Sequence, residues 1–257
     1  MSVMETWLAA LPFLLGAAAL TWIVSVVKRN VTIVDTLWSL LFVIAAAVYV
    51  ASADVPSQRA WLVLCLVGLW GVRLAAYLAW RNRGHEEDRR YQAIRRRNEP
   101  NFALKSLWLI FGFQAVLAWI ISLPLVGAVV SDTPLGLLDW LGVALWAVGV
   151  FFEAVGDWQL ARFKADPANA GRVMDSGLWR YTRHPNYFGD FCVWWGLYLV
   201  ALAAGAWWSI VGPLIMSFLL LRFSGVRLLE RHIGERRPAY AEYVRRTNAF
   251  FPGPRKD

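Results

Sequence analysis

Long apolar runs alternate with charged segments along this chain. Seven runs stand out, at about 7–27, 32–51, 60–80, 104–130, 135–160, 187–205 and 207–228. A helix needs roughly 20 apolar residues to cross the hydrocarbon core of a bilayer. In lipid, only a helix or a closed barrel satisfies its own backbone. The pattern therefore predicts an all-α fold, a polytopic membrane bundle of seven transmembrane helices forming one membrane domain over 1–257. The first run, Trp7 to Val27, is long enough to span, and no small-residue cleavage site precedes a soluble body. It reads as a span, not a cleaved signal.

Charge orients this bundle. Of the 26 basic residues, all but Arg59 and Arg73 lie in or beside the loops after spans one, three, five and seven. That asymmetry predicts the N-terminus outside and the C-terminus in the cytoplasm. The opposite loops are short, as at 52–59 and 131–134. A net charge of +8 would raise nucleic acid as a partner in a soluble protein. Here no nucleic-acid module matches, and loop charge on one side of a membrane accounts for it. Composition agrees, with 58% hydrophobic residues and sixteen tryptophans. Cys65 and Cys192 lie inside apolar runs and read as buried small hydrophobes.

Ionisable groups within the spans carry the candidate chemistry, because each is costly there unless paired or wetted. Glu153 and Asp157 are four apart near the end of span five and point the same way. They read either as an interfacial ion-pair set with Arg162 and Lys164 or as part of a ligand site. Asn186 and Asp190 repeat the spacing at the start of span six, where Pro185 pre-sets the first turn. The N–H groups and dipole of that helix start favour an anion, and Arg180 and Arg183 add charge beside it. Lipid head groups or a phosphate-bearing ligand both suit that cluster. His184 alone reads as a capping or packing residue. Span seven ends in Arg222, Arg227, Glu230, Arg231 and His232.

Asp35 opens span two, where Thr32-x-x-Asp35 matches a capping box; its alternative is a role in chemistry. Tyr77 shares a face of span three with Arg73 and Arg81 and reads as an interfacial belt residue or a participant. Arg73 would snorkel or pair with Asp35. The charged loop from Glu86 to Tyr91 is either solvated or folded over a cofactor mouth. In the tail, Pro238 suits the first turn of a short helix on which Tyr240 and Tyr243 share a face, lying on the membrane surface or capping the bundle. No glycine-rich dinucleotide fingerprint, Walker loop or zinc-ligand spacing occurs.

Taken together, the run from Gly177 to Trp195 with its Arg183-His184-Pro185-Asn186-Tyr187-Phe188-Gly189-Asp190 core, the upstream Glu153-x-x-x-Asp157-x-x-Leu160 and the tail from Glu230 to Pro252 resemble a known group. They are similar to the membrane steroid 5α-reductase C-terminal family, in its bacterial DUF1295 branch. The resemblance implies a seven-helix reductase in the bacterial inner (plasma) membrane, with its active site facing the cytoplasm. It implies NADPH as cofactor and, as substrate, a carbon–carbon double bond conjugated to a ketone in a steroid-like or other hydrophobic lipid from the bilayer. By that likeness Asp157 and Asn186 match cofactor-binding positions, and Lys164 falls near a cofactor-phosphate arginine. Glu153, Asp157 and Asp190 would then bind ribose hydroxyls or the carboxamide, and Lys164, Arg180, Arg183 and Arg227 the phosphates. His184, Tyr187 and Glu230 join the cofactor set. Tyr77 with Asp35 would stabilise the developing enolate. Residues 1–130 would face substrate and 135–257 cofactor. The His-rich stretch of steroid reductases is replaced here by Leu229-Glu230-Arg231-His232. The motif Arg-His-Pro-x-Tyr-x-Gly, satisfied by Arg183 to Gly189, also resembles isoprenylcysteine carboxyl methyltransferases. That makes an S-adenosylmethionine-dependent membrane methyltransferase the alternative.

Overall fold

A computed structural model of the chain describes residues 1–223 and 239–256. Arg227, Glu230, Arg231, His232 and Pro238 lie outside the described residues. Every regular element among those described is helical. The main helices are α1 (Val3–Lys28), α2 (Ile33–Ala51), α3 (Gln58–Asn82), α4 (Arg89–Asn98), α5 (Phe102–Ile121) and α6 (Leu123–Val129). They continue as α7 (Leu137–Ala165), α8 (Pro185–Ala203), α9 (Val211–Phe218) and α10 (Ala239–Arg246).

Among the described residues, five helices are long and apolar enough to cross a membrane: α1, α2, α3, α5 and α7. The expected sixth span is the 19-residue α8, whose first turns are diluted by Pro185, Asn186 and Asp190. The expected seventh is a shorter apolar segment, Trp207–Arg222. It is built from a 3₁₀ turn, α9 and a π-helical turn at Leu219–Phe223. The run expected as one helix over 104–130 is broken. Ser122 leaves helical geometry at φ −71°, ψ 0°, and Pro124 sits in the first turn of α6. Proline has no N–H to donate back, so the chain restarts there.

The chain divides into two compact units. The first comprises Met1–Gly136 with Val200–Ser209; the second comprises Leu137–Leu199 and the described residues from Ile210 on. In the first unit, α1 is opened by a reciprocal cap between Ser2 and Glu5, the backbone N–H of each donating to the other's side chain. Trp7 on α1 and Trp119 on α5 stack at 3.7 Å, and each indole N–H donates to the other's carbonyl. Helices α2 and α3 meet where Ser39 Oγ donates to the Gly71 carbonyl at 2.9 Å. A methyl group at Gly71 would lie 3.0 Å from the Ser39 carbonyl oxygen. Small residues let helices in lipid approach this closely. Arg59, placed by its sequence in an outer loop, is 1% exposed and donates to Thr133 and Pro134, closing the 131–134 turn over the start of α3.

The second unit is organised by a glycine seam. Gly142, Gly149 and Gly156 recur every seven residues on α7, and Gly189 and Gly196 do so on α8. A Cβ at Gly189 would lie 2.5 Å from the Gly149 carbonyl oxygen, and one at Gly196 would lie 2.6 Å from that of Gly142. The two backbones therefore touch along two turns, with Pro185 packed on Gly156.

Candidate functional site

The seam decides where the second unit's carboxylates go. Glu153 lies one turn beyond Gly149, and its backbone N would be 2.6 Å from a Cβ at Gly189. Glu153 is thus held at the α7–α8 contact and is 3% exposed; Asp157, on the same face one turn on, is 5% exposed. Between them, Gly156 receives the first turn of α8, including the Asn186 backbone N–H. The Gly156 carbonyl accepts from the Trp179 indole at 3.0 Å, while Gln159 accepts from the Leu178 N–H. The loop before α8 is thereby pinned to α7, next to the two acids. Asn186 and Asp190 are partly exposed on the first turns of α8. Buried carboxylates beside a helix start form an acceptor-rich face suited to hydroxyls, amides or a cation.

The arginines differ in burial. Arg183 is buried, and its Nη1 donates to the carbonyls of Thr247 at 2.6 Å and Val244 at 3.2 Å. Its backbone N–H donates to the Asn248 carbonyl. Thr182 Oγ1 donates to the Phe250 carbonyl, and the Tyr243 hydroxyl donates to that of Trp179 at 2.5 Å. Arg183 therefore straps the 239–256 tail onto the loop before α8. Part of the donor set of that guanidinium is thus committed to carbonyls. Arg162, Lys164 and Arg180 are exposed. His184 is 5% exposed and stacks on Tyr187 at 5.6 Å, while its backbone N–H bonds Thr182 Oγ1. That agrees with its reading as a packing residue. Tyr240 and Tyr243 share the buried face of α10, and Ala241, Val244 and Arg245 are exposed on the other side.

A second polar cluster occupies the first unit. Asp35 does not cap α2. Thr32 already has helical geometry and makes no side-chain cap, because its hydroxyl accepts from the Asp88 N–H at 2.8 Å. The Asp35 carboxylate instead accepts from the Tyr91 hydroxyl at 2.5 Å and from Arg90 Nη2 at 3.1 Å. Both partners come from α4, in the charged loop that sequence left either solvated or folded over. It is folded over. Glu87 fastens it further, accepting from the Val31 N–H and from Arg95 at 2.7 Å. Burial opposes the charge on Arg90, yet the Asp35 and Asp88 carboxylates beside it raise its pKa above the ordinary value. Burial first, then the Asp35 charge, pushes the Tyr91 phenol up, so Tyr91 keeps its proton at neutral pH. Tyr77 lies on α3, its ring 5.8 Å from the Arg81 guanidinium.

A family model described as "Protein of unknown function (DUF1295)" matches residues 21–247. The chain belongs to the DUF1295 family. It is 27% identical over 279 residues to an uncharacterized protein of Schizosaccharomyces pombe, C594.04c, a match covering 94% of this chain and 78% of the relative. No solved structure matches it. Within this DUF1295 chain, Glu153 and Asp157 are brought onto one buried face, with Asn186 and Asp190 on the helix that packs there. Tyr91 is the residue that sequence missed. It sits among nine charged or amide residues from Glu86 to Arg97, and only its place opposite Arg89, Arg96 and Arg97 on a short helix would have marked it as inward-facing.

Proposed function

We propose that this membrane protein is an NADPH-dependent reductase of a conjugated carbon–carbon double bond in an enone lipid. The observation that carries the reading is the pair Glu153 and Asp157, buried within a span against the first turn of α8. Ionisable groups at that depth mark ligand and ion sites, and apolar packing in their place is often neutral or stabilising. The two acids fit the hydroxyl- and amide-bearing parts of NADPH, with Asn186 and Asp190 as further contacts. For the phosphates, the exposed Lys164 and Arg180, together with Arg227, are the cations to test first. When bound, the cofactor supplies the hydride. The chain's own residues would bind and orient it, exclude water and stabilise charge developing on the substrate oxygen. The Tyr91 hydroxyl already donates its one proton to Asp35. Tyr77 with Asp35 stays the donor pair to test for the last of these roles. The seven-span arrangement with a cytoplasmic site belongs to this proposal.

The methyltransferase reading keeps one observation in its favour. Arg183 is turned to backbone carbonyls, which leaves the α7–α8 face acid-rich, and S-adenosylmethionine is a cation. Thermal unfolding of the purified full-length protein separates the two. Stabilisation by NADPH and none by S-adenosylmethionine supports the reductase. The reverse pattern overturns it.

A further inference from the structure

Helix α4 has two faces at helical spacing. Tyr91, Ile94, Arg95 and Asn98 form one, and Arg89, Ala93, Arg96 and Arg97 the other. The first is fastened to the unit. Tyr91 is bound to Asp35, Arg95 to Glu87 with its guanidinium 4.3 Å from the Phe102 ring, and the Asn98 carbonyl to Lys105 Nζ. The second carries three exposed guanidinium groups that make no ion pair among the described residues. Two more exposed arginines, Arg81 and Arg83, end the preceding helix.

The flanks of α4 indicate what meets this face. It lies in sequence between two spans, and the adjoining ends of both expose large apolar side chains. Trp80 is 63% exposed, Leu104 57% and Trp108 53%. Exposed tryptophans at span ends mark the headgroup level of a bilayer. A fixed basic face at that level meets anionic headgroups at every encounter with the leaflet. The fastening of the opposite face matters, because a helix backbone already held by Asp35 and Glu87 need not be ordered on binding. We infer that the Arg89–Arg96–Arg97 face of α4 is a docking surface for anionic phospholipid headgroups. This inference stands apart from the reductase reading.

The test uses full-length protein in mixed micelles of phosphatidylcholine and phosphatidylglycerol, with retained lipid counted by native mass spectrometry. Wild type is expected to retain phosphatidylglycerol preferentially, with roughly a fivefold contribution from each arginine, and the preference should shrink as salt rises. The triple change Arg89→Gln, Arg96→Gln and Arg97→Gln should abolish it, whereas Arg→Lys at the same three positions should retain it. Equal retention of both lipids by wild type, or an undiminished preference in the glutamine variant, overturns the proposal. Inorganic phosphate competing as well as the lipid overturns the lipid source. If the glutamine variant does not fold, the wild-type salt series and the lysine variant decide.

Discussion

The glycine seam makes the sharpest structural prediction. In Gly189→Ala the new methyl would lie 2.5 Å from the Gly149 carbonyl oxygen, 2.6 Å from the Glu153 backbone N and 2.9 Å from the Glu153 Cβ. Two of these three are backbone atoms, which cannot turn aside as a flexible side chain can. An ordinary carbon contact sits near 3.5 Å, so α7 and α8 must part by about 1 Å. A gap of that size forfeits a quarter to a half of the dispersion energy along the contact. Overpacking of a close-packed site costs about 1–3 kcal/mol, and this site belongs at the upper end. The matched control is Gly68→Ala on α3, where no atom lies within 4 Å of an added Cβ. Thermal unfolding in detergent, followed by circular dichroism, should show Gly189→Ala lower by roughly 5–10 °C and Gly68→Ala near wild type. Equal midpoints for the two variants would refute the close contact and, with it, the placement of Glu153.

Other predictions follow from single contacts. Tyr91→Phe removes one donor from the Asp35 carboxylate and should cost about 1–3 kcal/mol in unfolding free energy; a change within error would mean that the two do not bond. Arg183→Ala should free the tail, seen as faster amide exchange over 239–256 with little change in α7. Unaltered tail exchange would mean that Arg183 does not hold the tail. Burial works to raise the Glu87 pKa, but hydrogen bonds from Arg95 and the Val31 N–H outweigh it and hold the carboxyl below its ordinary 4.5. A depressed pKa gives stability that is present above the unfolded value and lost as pH falls through the folded one. Amide protection in α4 should therefore drop as pH falls below 4.5 in wild type, and Glu87→Gln should flatten that dependence. A wild-type profile that is flat there would contradict the clamp.

Much of the span layout was legible because apolar length is a strong signal in lipid. Span two was placed at 32–51 against α2 at Ile33–Ala51, and span three at 60–80 against α3 at Gln58–Asn82. The break at Ser122 was hidden because Leu123 to Val130 stays apolar through it, so hydropathy carries no mark of the kink. Pro124 was the available cue. Thr32-x-x-Asp35 misled because a capping pattern states which bonds are possible, and a distant backbone N–H, that of Asp88, took the hydroxyl. The strapping of Arg183 to the tail was not legible because the carbonyls that hold it come from more than sixty residues away. The pair Glu153 and Asp157 was found from four-residue spacing alone. What fixes their position, the heptad of glycines on α7 and α8, was equally visible as Gly142, Gly149 and Gly156 but was not read, since glycines carry no chemistry of their own.

Titration of the purified full-length protein with NADPH by calorimetry, in wild type and in Asp157→Asn, tests the central claim most directly. Saturable binding should be present in the wild type and weakened about tenfold to a hundredfold in the variant, the cost of losing one charged hydrogen-bond acceptor. Absence of any binding to wild type, or identical affinity in both proteins, would contradict the assignment of this buried acidic face to the nucleotide.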